Sequence, residues 1–268
     1  MGGHAFKTTT GMPLSSRIMR DEILPTLNDF FSKVLPVIPI GTISILGSAG
    51  KKSVSNDIDI CVSPACADAD SKTFKTDLLL ALKSIMGNEH AKLVGQAISV
   101  NHPIVSPDPV RHGLRVQIDL MVSRDPASTA WLMSGTGENE VKGVYRNLLL
   151  SYVAKLRSTA GRKITISYPG GVQAEEGGIV VTPRNENPKE AFKVLGILGD
   201  PETLSEFESL LDALLEQGFD LSGFEEYLAG SLKRDPPQAQ RALDVLRSRL
   251  CQTKNDHQSA RALPCRKR

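Results

Sequence analysis

Two short stretches place aspartate inside runs that otherwise read as buried β-strands, and few folds tolerate that. The first is Asp57-Ile58-Asp59-Ile60. Side chains alternate faces along a strand, so Asp57 and Asp59 point one way and Ile58 and Ile60 the other. The second is Arg115-Val116-Gln117-Ile118-Asp119-Leu120-Met121-Val122. Here Gln117 and Asp119 share one face, and Ile118 and Leu120 share the opposite one. Neighbouring carboxylates repel each other, and a divalent cation removes that cost. Magnesium takes oxygen ligands and commonly uses one or two carboxylates together with substrate phosphates. Three carboxylates, Asp57, Asp59 and Asp119, can hold two such ions roughly 3.5–4 Å apart. Asp108 and Asp125 are weaker candidates, because each lies beside a proline in an expected loop.

The residues ahead of the first pair extend this reading. An apolar strand over residues 42–46 runs into Gly47-Ser48-Ala49-Gly50-Lys51-Lys52. Glycine lets the backbone turn tightly and approach a ligand. Ser48 offers a hydroxyl and an amide, and Lys51 and Lys52 bring positive charge toward a phosphate. The segment is not a P-loop, which needs glycine, four residues, then Gly-Lys-Ser or Gly-Lys-Thr. Counting back from Gly50-Lys51 puts Ile45 at the first glycine, and Lys52 stands where Ser or Thr is required.

The rest of the pattern predicts an α+β protein: a mixed sheet backed by helices, followed by a mainly helical region. Helices are expected over residues 15–34 and 71–86, and strands over 42–46, 57–62, 92–100 and 114–122. Beyond them, a helix is expected over 138–156 and a small hairpin from 163–168 and 178–182. Further helices follow over 188–198, 201–217, 221–228 and 236–251. The domain boundaries read as 1–135, 136–251, and a basic, disordered tail over 252–268. Residues 200–230 hold nine acidic side chains and no Lys or Arg, which reads as a solvated helical face. Trp131 reads as core packing, and the five histidines show no ligand-like pairing.

A net charge of +2 gives no overall bias toward nucleic acid or membrane. No apolar run is long enough to span a bilayer. Residues 1–6 do not read as a secretory signal. The four cysteines, Cys61, Cys66, Cys251 and Cys265, lack the spacing of a zinc site or a disulfide framework. These features lead to the expectation of a cytoplasmic protein with reduced thiols, in the host cytoplasm if it is viral.

In these residues the chain resembles the DNA polymerase β-like nucleotidyltransferase superfamily. The pattern there is Gly-Ser, a short loop, Asp-x-Asp on a strand, and a third acidic residue on a later strand. Gly47-Ser48, Asp57-Ile58-Asp59 and Asp119 match each part, within about residues 15–122. Met1-Gly2-Gly3-His4-Ala5-Phe6 and Lys142-Gly143-Val144-Tyr145-Arg146-Asn147-Leu148-Leu149 look like bacteriophage and large-virus proteins of that superfamily. The resemblance implies two magnesium (or manganese) ions and transfer of a nucleoside monophosphate from a nucleoside triphosphate such as ATP to a hydroxyl. A helix after the sheet would supply cations to the triphosphate. Lys142 and Arg146, spaced i, i+4 on one helix face, fit that role. An RNA end is the favoured acceptor, because a separate helical half and a basic tail suit a strand. A silent binding protein of the same fold, or a toxin-like enzyme acting on tRNA or a protein, would carry the same residues.

Overall fold

The computed structural model describes residues 5–47, 49–66, 69–133, 141, 143–167, 171–229 and 236–261. The chain enters through β1 (Ile18–Met19) and α1 (Arg20–Val34), then β2 (Ile40–Ile45), β3 (Val54–Ser55), β4 (Asp57–Pro64) and α2 (Ser71–Met86). The hairpin β5 (Ala91–Val94) and β6 (Ala97–Pro103) leads to β7 (Arg115–Val122) and α3 (Pro126–Met133). These strands make a five-stranded sheet of order β2-β4-β7-β6-β5. β4 and β7 run parallel, and the other neighbours are antiparallel. The fold is α+β, as the sequence pattern predicts.

One face of the sheet is apolar for a reason visible in the helices. Ile23, Leu27, Phe30 and Val34 on α1, and Phe74, Leu78 and Leu82 on α2, recur at helical spacing and are all buried. They pack on Ile58, Ile60, Ile98, Val100, Val116, Ile118 and Leu120 from the strands. Each such side chain contributes about 1.5–3 kcal/mol by leaving water. A one-residue slip of β4 or β7 would turn aspartates into this layer, so burial of the isoleucines fixes the carboxylates on the opposite face.

That opposite face carries Asp57, Asp59 and Cys61 on β4, Gln117 and Asp119 on β7, and Ser99 and Asn101 on β6. Part of it is covered by α3, and part by a strap of residues 5–16. The strap is pinned by Ser16 N–H donating to the Arg115 carbonyl at 2.6 Å and Leu14 N–H to that of Phe6 at 3.0 Å. The Phe6 ring is buried, with Lys92 Nζ 4.7 Å from its centroid.

A second apolar core gathers residues from Leu132 onward. It is built by α4 (Gly143–Arg157), a three-stranded sheet of β8 (Arg162–Ser167), β9 (Gly171–Glu176) and β10 (Ile179–Asn185), and α5 (Pro188–Leu195), α6 (Phe207–Glu216), α7 (Phe224–Ala229) and α8 (Pro236–Arg261). The acidic helices are partly paired rather than simply solvated. Arg249 Nε lies 2.7 Å from Asp212 Oδ1, and Arg247 binds Glu225.

Several expected elements are corrected. The strand over 92–100 is a hairpin, because Gly95 takes φ +59° and turns the chain between β5 and β6. The expected small hairpin is a three-stranded antiparallel sheet, with β9 in the centre. The helix expected from 15 begins at Arg20, where Glu22 Oε2 accepts the Met19 N–H at 2.8 Å. The helix expected from 201 begins at Phe207. The last helix runs past 251 to Arg261, into the segment expected to be a disordered tail.

Candidate metal centre

Parallel pairing of β4 with β7 sets Asp57 opposite Gln117 and Asp59 opposite Asp119. The three carboxylates each bring an oxygen within 4.8 Å of the other two. Three oxygen donors and no sulfur or nitrogen make a hard set, suited to cations of the magnesium, manganese or calcium type. The cluster could hold a metal ion. Asp57 and Asp59 are half-buried, and Asp119 is 9% exposed. Burial pushes the Asp119 carboxyl above its ordinary value, while hydrogen bonds from Ser99 and Gln117 pull it back.

The turn before β4 closes on the same cluster. Leu46 N–H donates to the Asp59 carbonyl at 2.8 Å, and the chain then turns at Gly47 with φ +62°. Gly50, with φ +77°, turns it again ahead of Lys51. The loop is tied down where β1 pairs with β3, and Arg20 N–H donates to the Ser53 carbonyl at 2.9 Å. Ser48 and Lys142 lie outside the described residues.

Arg146 lies at the contact of α4 with α3. Its side chain is 1% exposed, with the guanidinium carbon 4.2 Å from the centroid of the Trp131 ring. Trp131 in turn donates from Nε1 to the Pro201 carbonyl at 2.7 Å and meets Phe192 edge-on. Arg146 and Trp131 therefore pack α4 on α3, and Tyr145 is buried as well. Asp108 and Asp125 serve as caps: they accept the backbone N–H of Val110 and of Ser128, each at 3.0 Å.

Two further sets of residues shape the site. Ser99 and Gln117 bind Asp119, and the signal for both was their place in strand alternation beside it. The other set joins the two halves: Ser123 donates to Glu186, Thr129 donates to Ser123 at 2.9 Å, and Cys61 bonds to Ser123 and Thr129. Burial pushes the Cys61 thiol up to about 12. Cys61 is therefore a packed thiol rather than a nucleophile.

No family model matches the chain, and no curated protein matches its sequence. No helix among the described residues is long and apolar enough to cross a membrane.

Proposed function

We propose that the chain is a metal-dependent nucleotidyltransferase that moves a nucleoside monophosphate from a nucleoside triphosphate to a hydroxyl. The observation that carries this reading is the convergence of Asp57, Asp59 and Asp119 from two parallel strands, with the Gly47 turn beside them. Asp57, Asp59 and Asp119 would hold two magnesium or manganese ions. Such ions, when bound, supply Lewis acidity to the phosphates and acidify the attacking hydroxyl. The protein's own part is positioning. Gly47 would bring backbone close to the triphosphate and Lys51 would add positive charge; Ser48 and Lys142 join this set on the resemblance of the sequence alone. Asp119, on the central strand of the sheet, would take the acceptor side. The acceptor oxygen bonds to the α-phosphorus, the bond from that phosphorus to the bridging oxygen breaks, pyrophosphate leaves, and the hydroxyl proton passes to solvent. Arg146, packed on Trp131, is left out of the phosphate-binding set. An RNA end remains the preferred acceptor, on the strength of the separate helical half and basic C-terminal residues.

Thermal unfolding with manganese or magnesium, alone and with each nucleoside triphosphate, tests the reading. A ligand at a hundred times its Kd stabilises by about 2.7 kcal/mol. Wild type should gain stability with metal and further with nucleotide, and Asp57→Ala/Asp59→Ala should gain neither. A wild type indifferent to both would favour a binding protein of the same fold.

A further inference from the structure

Beside the carboxylate cluster lies a buried amide with a single workable orientation. Gln117 is 4% exposed. Its Nε2 lies 3.0 Å from Oδ1 and 2.9 Å from Oδ2 of Asp119, so it donates to both oxygens of one carboxylate. Its Oε1 accepts the backbone N–H of Ala5 at 2.7 Å. Turning the amide over would set NH₂ against N–H and a carbonyl oxygen against a carboxylate, losing every one of these bonds. The Ala5 N–H and the Asp119 carboxylate thus select the same orientation of Gln117, and the Ala5 bond fixes the amide from its oxygen end. The Ala5 N–H is itself held by the strap, through buried Phe6 and the Ser16–Arg115 hydrogen bond. Across the strands, Gln117 is paired with Asp57 on one side and Asn101 on the other. A neutral donor thus occupies the register position directly opposite Asp57, where another carboxylate would add to the repulsion.

We propose that Gln117 is a positioning residue, fixing the rotamer of Asp119 for cation binding, and that the strap of residues 5–16 locks it through the Ala5 amide. This rests on the metal-centre reading given above. Groups that orient a ligating carboxylate typically change metal affinity by ten- to a hundredfold when removed. A purely structural amide would change stability and leave affinity alone.

The test is manganese titration of the full chain, followed by the EPR signal of free Mn²⁺, with metal-free thermal unfolding as the check on folding. Gln117→Leu removes the donor. Ala5→Pro removes the N–H that holds the amide oxygen, the strap's direct bond to Gln117, at the cost of a fixed φ at residue 5. Thr26→Val removes a buried hydroxyl from α1, on the other side of the sheet, where it accepts the Val105 N–H at 3.0 Å and touches neither the strap nor a carboxylate of the cluster. Gln117→Leu is expected to weaken Mn²⁺ binding by about ten- to a hundredfold, and Ala5→Pro to weaken it in the same direction. Thr26→Val should leave affinity unchanged even where it lowers Tm. If wild type binds Mn²⁺, Asp57→Asn/Asp59→Asn does not, and folded Gln117→Leu and Ala5→Pro bind like wild type, the positioning role is overturned while the metal centre stands. If wild type binds no Mn²⁺, both fall together. Should Gln117→Leu fail to fold, Gln117→Met, of similar length and likewise without the donor, takes its place with the same two outcomes.

Discussion

A methyl group built on Gly47 would lie 3.0 Å from Oδ2 of Asp59. The contact is tighter than ordinary packing allows, and the neighbour that must yield is a carboxylate of the candidate metal centre. Gly47 also holds φ +62°, in the left-handed region that a Cβ disfavours. Gly47→Ala should therefore cost about 1–2 kcal/mol of stability and displace Asp59. The expected signature is a lower Tm together with weakened manganese binding. Loss of Tm with unchanged metal affinity would show that Asp59 does not feel the change.

The bond between Ser123 and Glu186 ties the sheet to the second half of the chain. Ser123 is 2% exposed and donates to the Glu186 carboxylate, which also accepts the Asp125 N–H at 3.2 Å. Glu186→Ala leaves a buried hydroxyl without that acceptor, at a cost of about 1–3 kcal/mol. Glu186→Gln keeps an oxygen there and should cost distinctly less. Equal losses of stability for Ala and Gln in urea unfolding would remove this bond from the account.

Arg146 separates a packing role from a phosphate-binding one. Its guanidinium is buried over Trp131, where such a contact is worth about 2 kcal/mol. Arg146→Met should lower Tm yet leave intact the extra stabilisation that nucleotide gives. Loss of that increment in a folded Arg146→Met variant would return Arg146 to the nucleotide site.

His102 gives a pH dependence with a definite sign. It is fully buried, and its Nε2 lies 2.9 Å from Asp29 Oδ2. Burial lowers its pKa from 6.5 to about 4, against the opposing hydrogen bond to Asp29. The unfolded chain binds the proton more readily between those two values, so stability should fall as pH drops through that window. The slope contributed by one such group approaches about 1.4 kcal/mol per pH unit. Urea unfolding at pH 7 and pH 4.5 should show this loss, and His102→Gln should flatten it. An unchanged slope in the variant would assign the effect to other groups.

The site was legible where strand alternation alone carries the information. Asp59 and Asp119 each sit between apolar residues that must face the helices, Asp57 lies two residues before Asp59 on the same face, and β4 and β7 bring the three together. Gly47 was legible because the turn requires a residue that accepts positive φ. The packing of Arg146 on Trp131 was not, since i, i+4 spacing shows that two side chains share a helix face and says nothing of what that face meets. Trp131 comes from α3, a helix that no pattern announced. The hairpin of β5 and β6 reads as one strand in the sequence because its turn is only Gly95-Gln96 within an otherwise continuous run. The bond from Ala5 to Gln117 spans 112 positions, and no local pattern encodes such a distance.

The most direct test of the central claim is transfer of label from each α-labelled nucleoside triphosphate into RNA, DNA and protein, with magnesium and with manganese. Wild type should be run beside Asp57→Ala/Asp59→Ala. The account predicts label in one pool, RNA foremost, and none with the double variant. Label that persists in the double variant, or that enters no pool from wild type with either metal, would contradict it.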